Sequence, residues 1–473
     1  MGEIILYASL LFEMLGLLCA ADAVMNGRTP QGTVAWVAAL IAIPPVAVPF
    51  YAMFGARRLA GYVRARRRGV EAINKLVRTA YDELQPFRAS PPGTTSDPVT
   101  RVQDPLLVLP ATHSNDTRVL IDGADTFAAI FAAIDAATQY VLIQFFIIHD
   151  DALGKELLKH LTAALARGVR VYFLIDSVGC KKLPRAYRRT LAERGAEVLL
   201  FRPSRAPRFR IQLNFRNHRK IVVADGKVGF IGGLNVGDEY MGLDKHFGPW
   251  RDTHMQITGP AVQALQMAFV EDWYCVSRRL PKLQWKPTPS AANARIAIVA
   301  SGPADDIESC VMMFLHLIHS AHKRLWIATP YFIPDEAILA ALQAAAFRGV
   351  DIRIIVPKLP DHPLVHLAAR SYYHDAMLAG IHIHVYQKGF MHQKVALTDH
   401  LVAIGSANLD NRSLHINFEV TAVCDHAKLV EEVEAMLEHD LESCKEMNPS
   451  VFNKSPWLSR AASRLTRLVA PML

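Results

Sequence analysis

The sequence predicts an α/β fold built from two copies of one domain, led by a helical membrane hairpin. Three observations carry that prediction. Two long apolar runs occupy the first 56 residues. Beyond them, continuous apolar segments alternate with helical ones, the pattern of strands covered on both faces. The segment NHRKIVVADGKVGFIGGLN, residues 217–235, then returns in the same order as MHQKVALTDHLVAIGSAN, residues 391–408.

The apolar runs come first. Ile4 to Met25 is interrupted only by Ser9, Glu13 and Asp22, and Thr33 to Phe54 is apolar almost throughout. Each is long enough to cross roughly 30 Å of hydrocarbon, and the turn NGRTPQG separates them. Glu3 stands where a signal peptide would be basic, and a second span follows at once, so a membrane hairpin is expected over residues 1–56. Pro44-Pro45 is expected to kink the second span, and Glu13 to be paired or simply tolerated. Arg57, Arg58, Arg64, Arg66, Arg67 and Arg68 follow, which puts this end of the hairpin in the cytoplasm.

Residues 57–112 form a basic juxtamembrane helix and a linker. Leu59, Tyr62, Val63, Val70, Ile73, Val77, Tyr81 and Leu84 recur at helical spacing among arginines. That pattern suits a helix at the headgroup boundary, or one packed on the domain behind it. SPPGTTSDP, from Ser90 to Pro98, is turn-rich and marks the linker.

The two repeats are expected at 113–285 and 286–448. In the first, the strand YVLIQFFII leads through a helical stretch to ARGVRVYFLID. In the second, RLWIATPYFI leads through a helical stretch to FRGVDIRIIVP. Each copy then reaches its H-x-K segment. His218 and Lys220 are two residues apart on a strand, as are His392 and Lys394, so each pair projects from one strand face. Asp225 and Asp399 complete H-x-K-x4-D and are expected to bond within the turn that follows. Asn235 and Asn408 close the two segments. The second copy has five residues between Asp399 and Gly405 where the first has six between Asp225 and Gly232, which offsets Asn408 by one.

On these motifs the chain resembles the phospholipase D superfamily, with its paired HKD motifs. Within it the chain is similar to bacterial cardiolipin synthases over nearly its whole length. The double-span start, TPYFIPDEAIL, DHPLVHLAARSYYHDAMLAGIHIHVYQKGFMHQK and NLDNRSLHINFEV carry the resemblance. It implies a mixed sheet flanked by helices in each repeat, packed as a pseudo-twofold pair around one site. It implies a bacterial inner-membrane enzyme acting on phospholipids, with phosphatidylglycerol or another phospholipid as donor, and no nucleic acid as partner. The chemistry agrees. A phosphodiester needs a nucleophile, a proton donor for the leaving alkoxide and positive charge around its oxygens. One histidine attacks phosphorus, forming a phosphohistidine, and the other serves as acid and base. The resemblance favours His218 as nucleophile and His392 as acid/base. Lys220 and Lys394, with Asn235 and Asn408, hold the oxygens, so no metal or other cofactor is called for. In the family an acidic residue beyond each motif orients each histidine, and here Asp252 and Glu419 are on offer. A hydrolase or membrane nuclease would share this chemistry. A non-catalytic scaffold on anionic lipid would not need both motifs intact.

The rest of the sequence is consistent with that reading. A net charge of +8 favours anionic partners, an acidic membrane surface among them. Six scattered cysteines with no C-x-x-C spacing read as reduced thiols. His382 and His384 read as ordinary strand positions rather than metal ligands, and His362 and His366 as candidates for touching a lipid headgroup. The tail, 449–473, is basic and amphipathic, with Trp457, Leu465, Arg460, Arg464 and Arg467 interspersed.

Overall fold

The computed structural model describes residues 2–27, 30–55, 70–89, 106–202, 215–358 and 363–448, with single positions between 457 and 467. The arginine cluster, the SPPGTTSDP linker, His362 and most of the tail lie outside the described residues. The chain forms two compact units, Met1–Val70 with Arg202–Phe215, and Glu71–Phe201 with Arg216–Leu473.

In the first unit, helix Gly2–Asn26 packs against helices Pro30–Ala42 and Pro44–Phe54. Ala20, Ala23, Leu40, Ala47 and Tyr51 form its buried seam, and the Tyr51 hydroxyl donates to Asp22 at 2.8 Å. Glu13 accepts only the Ser9 hydroxyl one turn away, at 3.5 Å, among the described contacts. The second apolar run is broken rather than kinked. Ile43 leaves the helical region (φ −139°, ψ 59°) because Pro44 crowds it, and Pro44 and Pro45 bring no N–H to continue the ladder. Among the described residues, only Leu6–Asn26 is a single helix long and apolar enough to cross a membrane.

The second unit is organised by one sheet. The first repeat supplies β1 (Thr112–Ile121), β2 (Tyr140–Phe145), β3 (Arg170–Asp176), β4 (Glu197–Phe201), β5 (Ile221–Ala224), β6 (Val228–Gly232), the short β7 (Trp250–Arg251) and β8 (Thr253–Thr258). The second supplies β9 (Ala294–Ser301), β10 (Arg324–Ala328), β11 (Phe332–Ile333), β12 (Asp351–Pro357), β13 (His382–Tyr386), β14 (Phe390–Met391), β15 (Val395–Leu397), β16 (Leu401–Gly405), β17 (Leu409–Asp410), β18 (Glu419–Asp425) and β19 (Cys444–Glu446). The sheet has the order β19-β13-β12-β10-β15-β16-β18-β9-β1-β8-β6-β5-β2-β3-β4, and the short β7 and β11 pair outside it with β14 and β17. Read outward from the β9/β1 junction, the two sides run through equivalent strands in the same order, with β19 added beyond β13 at one edge. The sheet is therefore a palindrome, the pseudo-twofold of a duplicated chain. β2, β3 and β4, like β10, β12 and β13, pair in parallel, while the inner strands and the edge strand β19 pair antiparallel.

Every residue of β2 is buried, as its unbroken apolar run requires. Each half has its own core, and Phe390 of the second half lies in the first. The repeated R-G-V has a local cause. Gly168 (φ +85°) and Gly349 (φ +88°) end their helices in the left-handed conformation that favours glycine. The neighbouring arginines cap the preceding helices, Arg167 through the Ile134 carbonyl and Arg348 through that of Ile318. Helix Val70–Leu84 buries Ile73, Ala80 and Leu84. Of the tail, Arg467 is described, lying over the Tyr372 ring and pairing with Asp375. His382 pairs with Glu446 at 2.7 Å, and Cys180, Cys310 and Cys424 are buried thiols.

Candidate active site

The two H-x-K segments meet at the middle of the palindrome, and each is pinned to the opposite half. Asn217 bridges to Phe418 in parallel, and the His218 N–H donates to the Phe418 carbonyl at 2.9 Å. In the other copy β14 pairs with β7, Met391 against Arg251, and the His392 N–H donates to the Arg251 carbonyl at 2.8 Å. The residue after each anchor is an acid. His218 Nδ1 thus lies 3.2 Å from Glu419 Oε1, and His392 Nδ1 lies 2.9 Å from Asp252 Oδ2. Each half supplies one histidine and the carboxylate that orients the other half's histidine. With Nδ1 turned to a carboxylate, Nε2 is the nitrogen left for chemistry.

The two carboxylates are held differently. Asp252 takes His392 on one oxygen and the Thr253 N–H, at 2.8 Å, on the other. Glu419 is surrounded by neutral donors, Ser406 Oγ at 2.6 Å, Ser413 Oγ at 3.0 Å and Asn417 Nδ2 at 3.1 Å. Its approach to His218 is within ion-pair reach but is not aligned as a hydrogen bond. The G-G and G-S of the two motifs account for this. A Cβ on Gly233 would lie 2.1 Å from Asp252 Oδ1, whereas Ser406 at the equivalent place reaches Glu419 with its hydroxyl. Burial alone would raise both acids. The charge of Lys394 and the bond to His392 hold Asp252 below its usual range, and His218 and Lys220 do the same for Glu419.

Lys220 is fully buried and donates to the His218 carbonyl at 2.6 Å. Lys394 bonds the His392 carbonyl, and its Nζ lies 2.7 Å from His392 Nδ1 and 3.9 Å from Asp252. Burial, opposed by Glu419 and aided by Lys394, brings Lys220 down to about 7. Burial and then Lys220 lower His218, so its imidazole is neutral at neutral pH. Asn235 Oδ1 accepts the Ile147 N–H at 3.2 Å and its amide donates to the Tyr240 hydroxyl at 3.1 Å. Asn408 is buried and leaves Oδ1 without a partner among the described residues. The one-residue difference between the copies does not reach it. Ala224 pairs with Val228 around a three-residue turn, while Thr398 bonds Leu401 around Asp399-His400, so the deletion is absorbed at the hairpin tip.

Asp225 and Asp399 lie at the other end of the motif strands. Asp225 accepts the N–H groups of Thr138, Gln139 and Tyr140 at 2.8–2.9 Å. Asp399 accepts those of His322, Lys323 and Arg324 at 2.7–3.2 Å. They tie the hairpin to the start of β2 and β10 rather than bonding within their own turn, and they are distant in the strand from the histidines.

A family model described as cardiolipin synthase, phospholipase D-like domain, matches the chain twice, over residues 130–273 and 314–441. The chain belongs to this family. Cardiolipin synthase A of Pseudomonas entomophila is 45% identical over 469 residues, covering 98% of this chain and 97% of that protein. Cardiolipin synthase A of Pseudomonas aeruginosa is 42% identical over 98% of this chain and 94% of its own. Among solved structures, phosphatidylserine synthase of Haemophilus influenzae superposes with a TM-score of 0.61 at 14% identity, covering 80% of this chain and 100% of that one. That likeness is one of fold.

Within this cardiolipin synthase family fold, sequence reasoning missed the layer behind the histidines. The middle residue of each H-x-K points away from the site into the last helix of its own half. Arg219 bonds Asp272 at 3.0 Å and the carbonyls of Ala268, Ser301 and Glu419. Gln393 bonds Asp440 at 2.8 Å. There the cation comes instead from Arg251, which forks onto Asp440 at 2.7 and 2.8 Å. At the position equivalent to Arg251 the other half has Phe418, over whose ring Arg219 lies. The available signal was a polar residue inside a buried strand, matched by an aspartate in each closing helix.

Proposed function

We propose that this chain is a membrane-anchored phosphatidyltransferase that joins two phosphatidylglycerol molecules into cardiolipin and glycerol. The observation that carries the reading is the reciprocal pairing of His218 with Glu419 and His392 with Asp252, two oriented imidazoles in one site, in a chain of this family. His218, kept neutral by burial and Lys220, attacks phosphorus through Nε2. The P–O bond to glycerol breaks, and the glycerol oxygen takes its proton from His392. The primary hydroxyl of a second phosphatidylglycerol then gives its proton to His392, its oxygen bonds phosphorus, and the bond to His218 breaks. Lys220, Lys394, Asn235 and Asn408 carry the non-bridging oxygens and Asp252 and Glu419 orient the imidazoles, while Asp225 and Asp399 brace the motif hairpins. The N-terminal helices tether the catalytic unit to the cytoplasmic face of the inner membrane, where both lipid substrates lie, and so raise their effective concentration.

The test uses purified full-length enzyme with phosphatidylglycerol labelled in its phosphatidyl group. Mass spectrometry is expected to find cardiolipin and glycerol, and acid-sparing digestion to find label on the His218 peptide. Phosphatidic acid as the only lipid product would make the chain a hydrolase. Label on the His392 peptide alone would reverse the roles of the histidines.

A further inference from the structure

The palindrome makes equivalent positions comparable, and they diverge at the rim of the site. Ile148 bridges to Val236 as Phe332 pairs with Leu409, so His149 corresponds to Ile333 and Glu239 to Arg412. In the first half, His149 Nε2 lies 3.0 Å from Glu239 Oε1, and both line a cleft of about 570 Å³ with Asp150, Lys182, Asp244 and Phe247. Other carboxylates around it serve the backbone. Asp151 accepts the N–H groups of Gly154 and Asp238, and Asp244 those of His246 and Phe247. Among the described residues, the side chains of His149 and Glu239 cap no helix and close no turn; they bond each other, which holds His149 above its usual range.

The cleft adjoins the reacting groups. His149 follows two residues after Ile147, whose N–H bonds Asn235. Phe247 packs on Trp250 and Phe390, which flank the His392 ring at 5.1 and 5.8 Å. It also lies beyond the carboxyl end of β2, where α/β sheets hold ligands. Through Phe247, Trp250 and Phe390 the cleft connects to His392, on whose side the leaving and entering oxygens belong if His218 attacks. Its charges are mixed. Four carboxylates, of Asp150, Asp151, Glu239 and Asp244, oppose an anion, while Lys182 and His149, held above its usual range by Glu239, oppose an ammonium group. Donors and acceptors side by side match a neutral headgroup with adjacent hydroxyls. Ile333 and Arg412 deny the second half such a pair.

We propose that this cleft is the polyol subsite of the reaction, in which Glu239 accepts from one headgroup hydroxyl and His149 donates to its neighbour. The proposal rests on the phosphatidyl-transfer reading, and it assigns the cleft to glycerol as leaving group and to the glycerol headgroup of the acceptor lipid.

The experiment measures partition of the intermediate. Full-length enzyme receives phosphatidyl-p-nitrophenol, whose leaving group has no hydroxyls to read, in a mixture of glycerol and methanol. Wild type is expected to prefer glycerol. Glu239→Gln and His149→Asn are expected to lower the ratio of phosphatidylglycerol to phosphatidylmethanol about tenfold, the loss of one charge-assisted hydrogen bond. The first-turnover burst of p-nitrophenolate, which precedes any use of the cleft, stays close to wild type and shows the variants folded. An unchanged ratio, a wild type without preference, or equal loss of both products and of p-nitrophenolate would overturn the proposal. A wild type that prefers glycerol but forms no cardiolipin from phosphatidylglycerol would remove the cardiolipin reading and leave the cleft standing.

Discussion

Lys220 and His218 set the pH behaviour of the site. Burial brings the lysine down to about 7 against the pull of Glu419, so the empty enzyme loses this cation as pH rises through that value. A phosphate oxygen beside it would restore the charge. The same burial, with Lys220, lowers His218, so the imidazole is lost to protonation only below the usual histidine value of 6.5. The profile of kcat/KM against pH is therefore expected to be a bell, with its acid limb below 6.5 and its basic limb near 7. Lys220→Met is expected to remove the basic limb and lower kcat/KM by about 10²–10³, the cost of one preorganised donor to a developing oxyanion. A basic limb that survived in this variant would belong to another group.

At the scale of elements, the two-residue strand β7 is what places Asp252. It is paired with β14, and Arg251 fastens it to the closing helix Ala427–Glu442 through Asp440, to helix Asp122–Ala136 through Asp122 at 3.1 Å, and to the Asp252 carbonyl at 2.7 Å. A buried ion pair broken on one side leaves an uncompensated charge, at a cost of about 3–5 kcal/mol. Arg251→Met is expected to destabilise the protein by about that much in denaturant unfolding. Arg251→Met with Asp440→Leu is expected to recover most of the loss, since an apolar pair of similar volume replaces the ionic one. A double variant no more stable than the single would show that the arginine works through Asp122 and the backbone instead.

Across the whole molecule, what the sequence made legible was what repeats. The duplicated H-x-K, the R-G-V and the continuous apolar strands gave the two halves, their sheet and the histidine–lysine pairs. The crossing of the carboxylates was not legible, because it depends on β7 meeting β14 and Asn217 meeting Phe418, contacts far apart in sequence between strands too short to carry a pattern. The same holds for Arg219 and Arg251, which fill equivalent space from different positions. The crossing has a consequence for assembly. Each histidine is oriented by the opposite half of its own chain, through a sheet that runs unbroken across the β9/β1 junction. A chain carrying His218→Ala keeps His392 and its Asp252 yet lacks the imidazole that Glu419 faces, and a chain carrying His392→Ala lacks the one that Asp252 faces. Each variant alone is therefore expected to lose turnover. Mixing the two purified proteins, or expressing them together, is expected to leave activity lost, because neither chain can lend a histidine to the other's sheet. Recovery to a substantial fraction of wild type in the mixture would mean that the halves exchange between chains, and the site would then belong to a swapped dimer rather than to one folded chain.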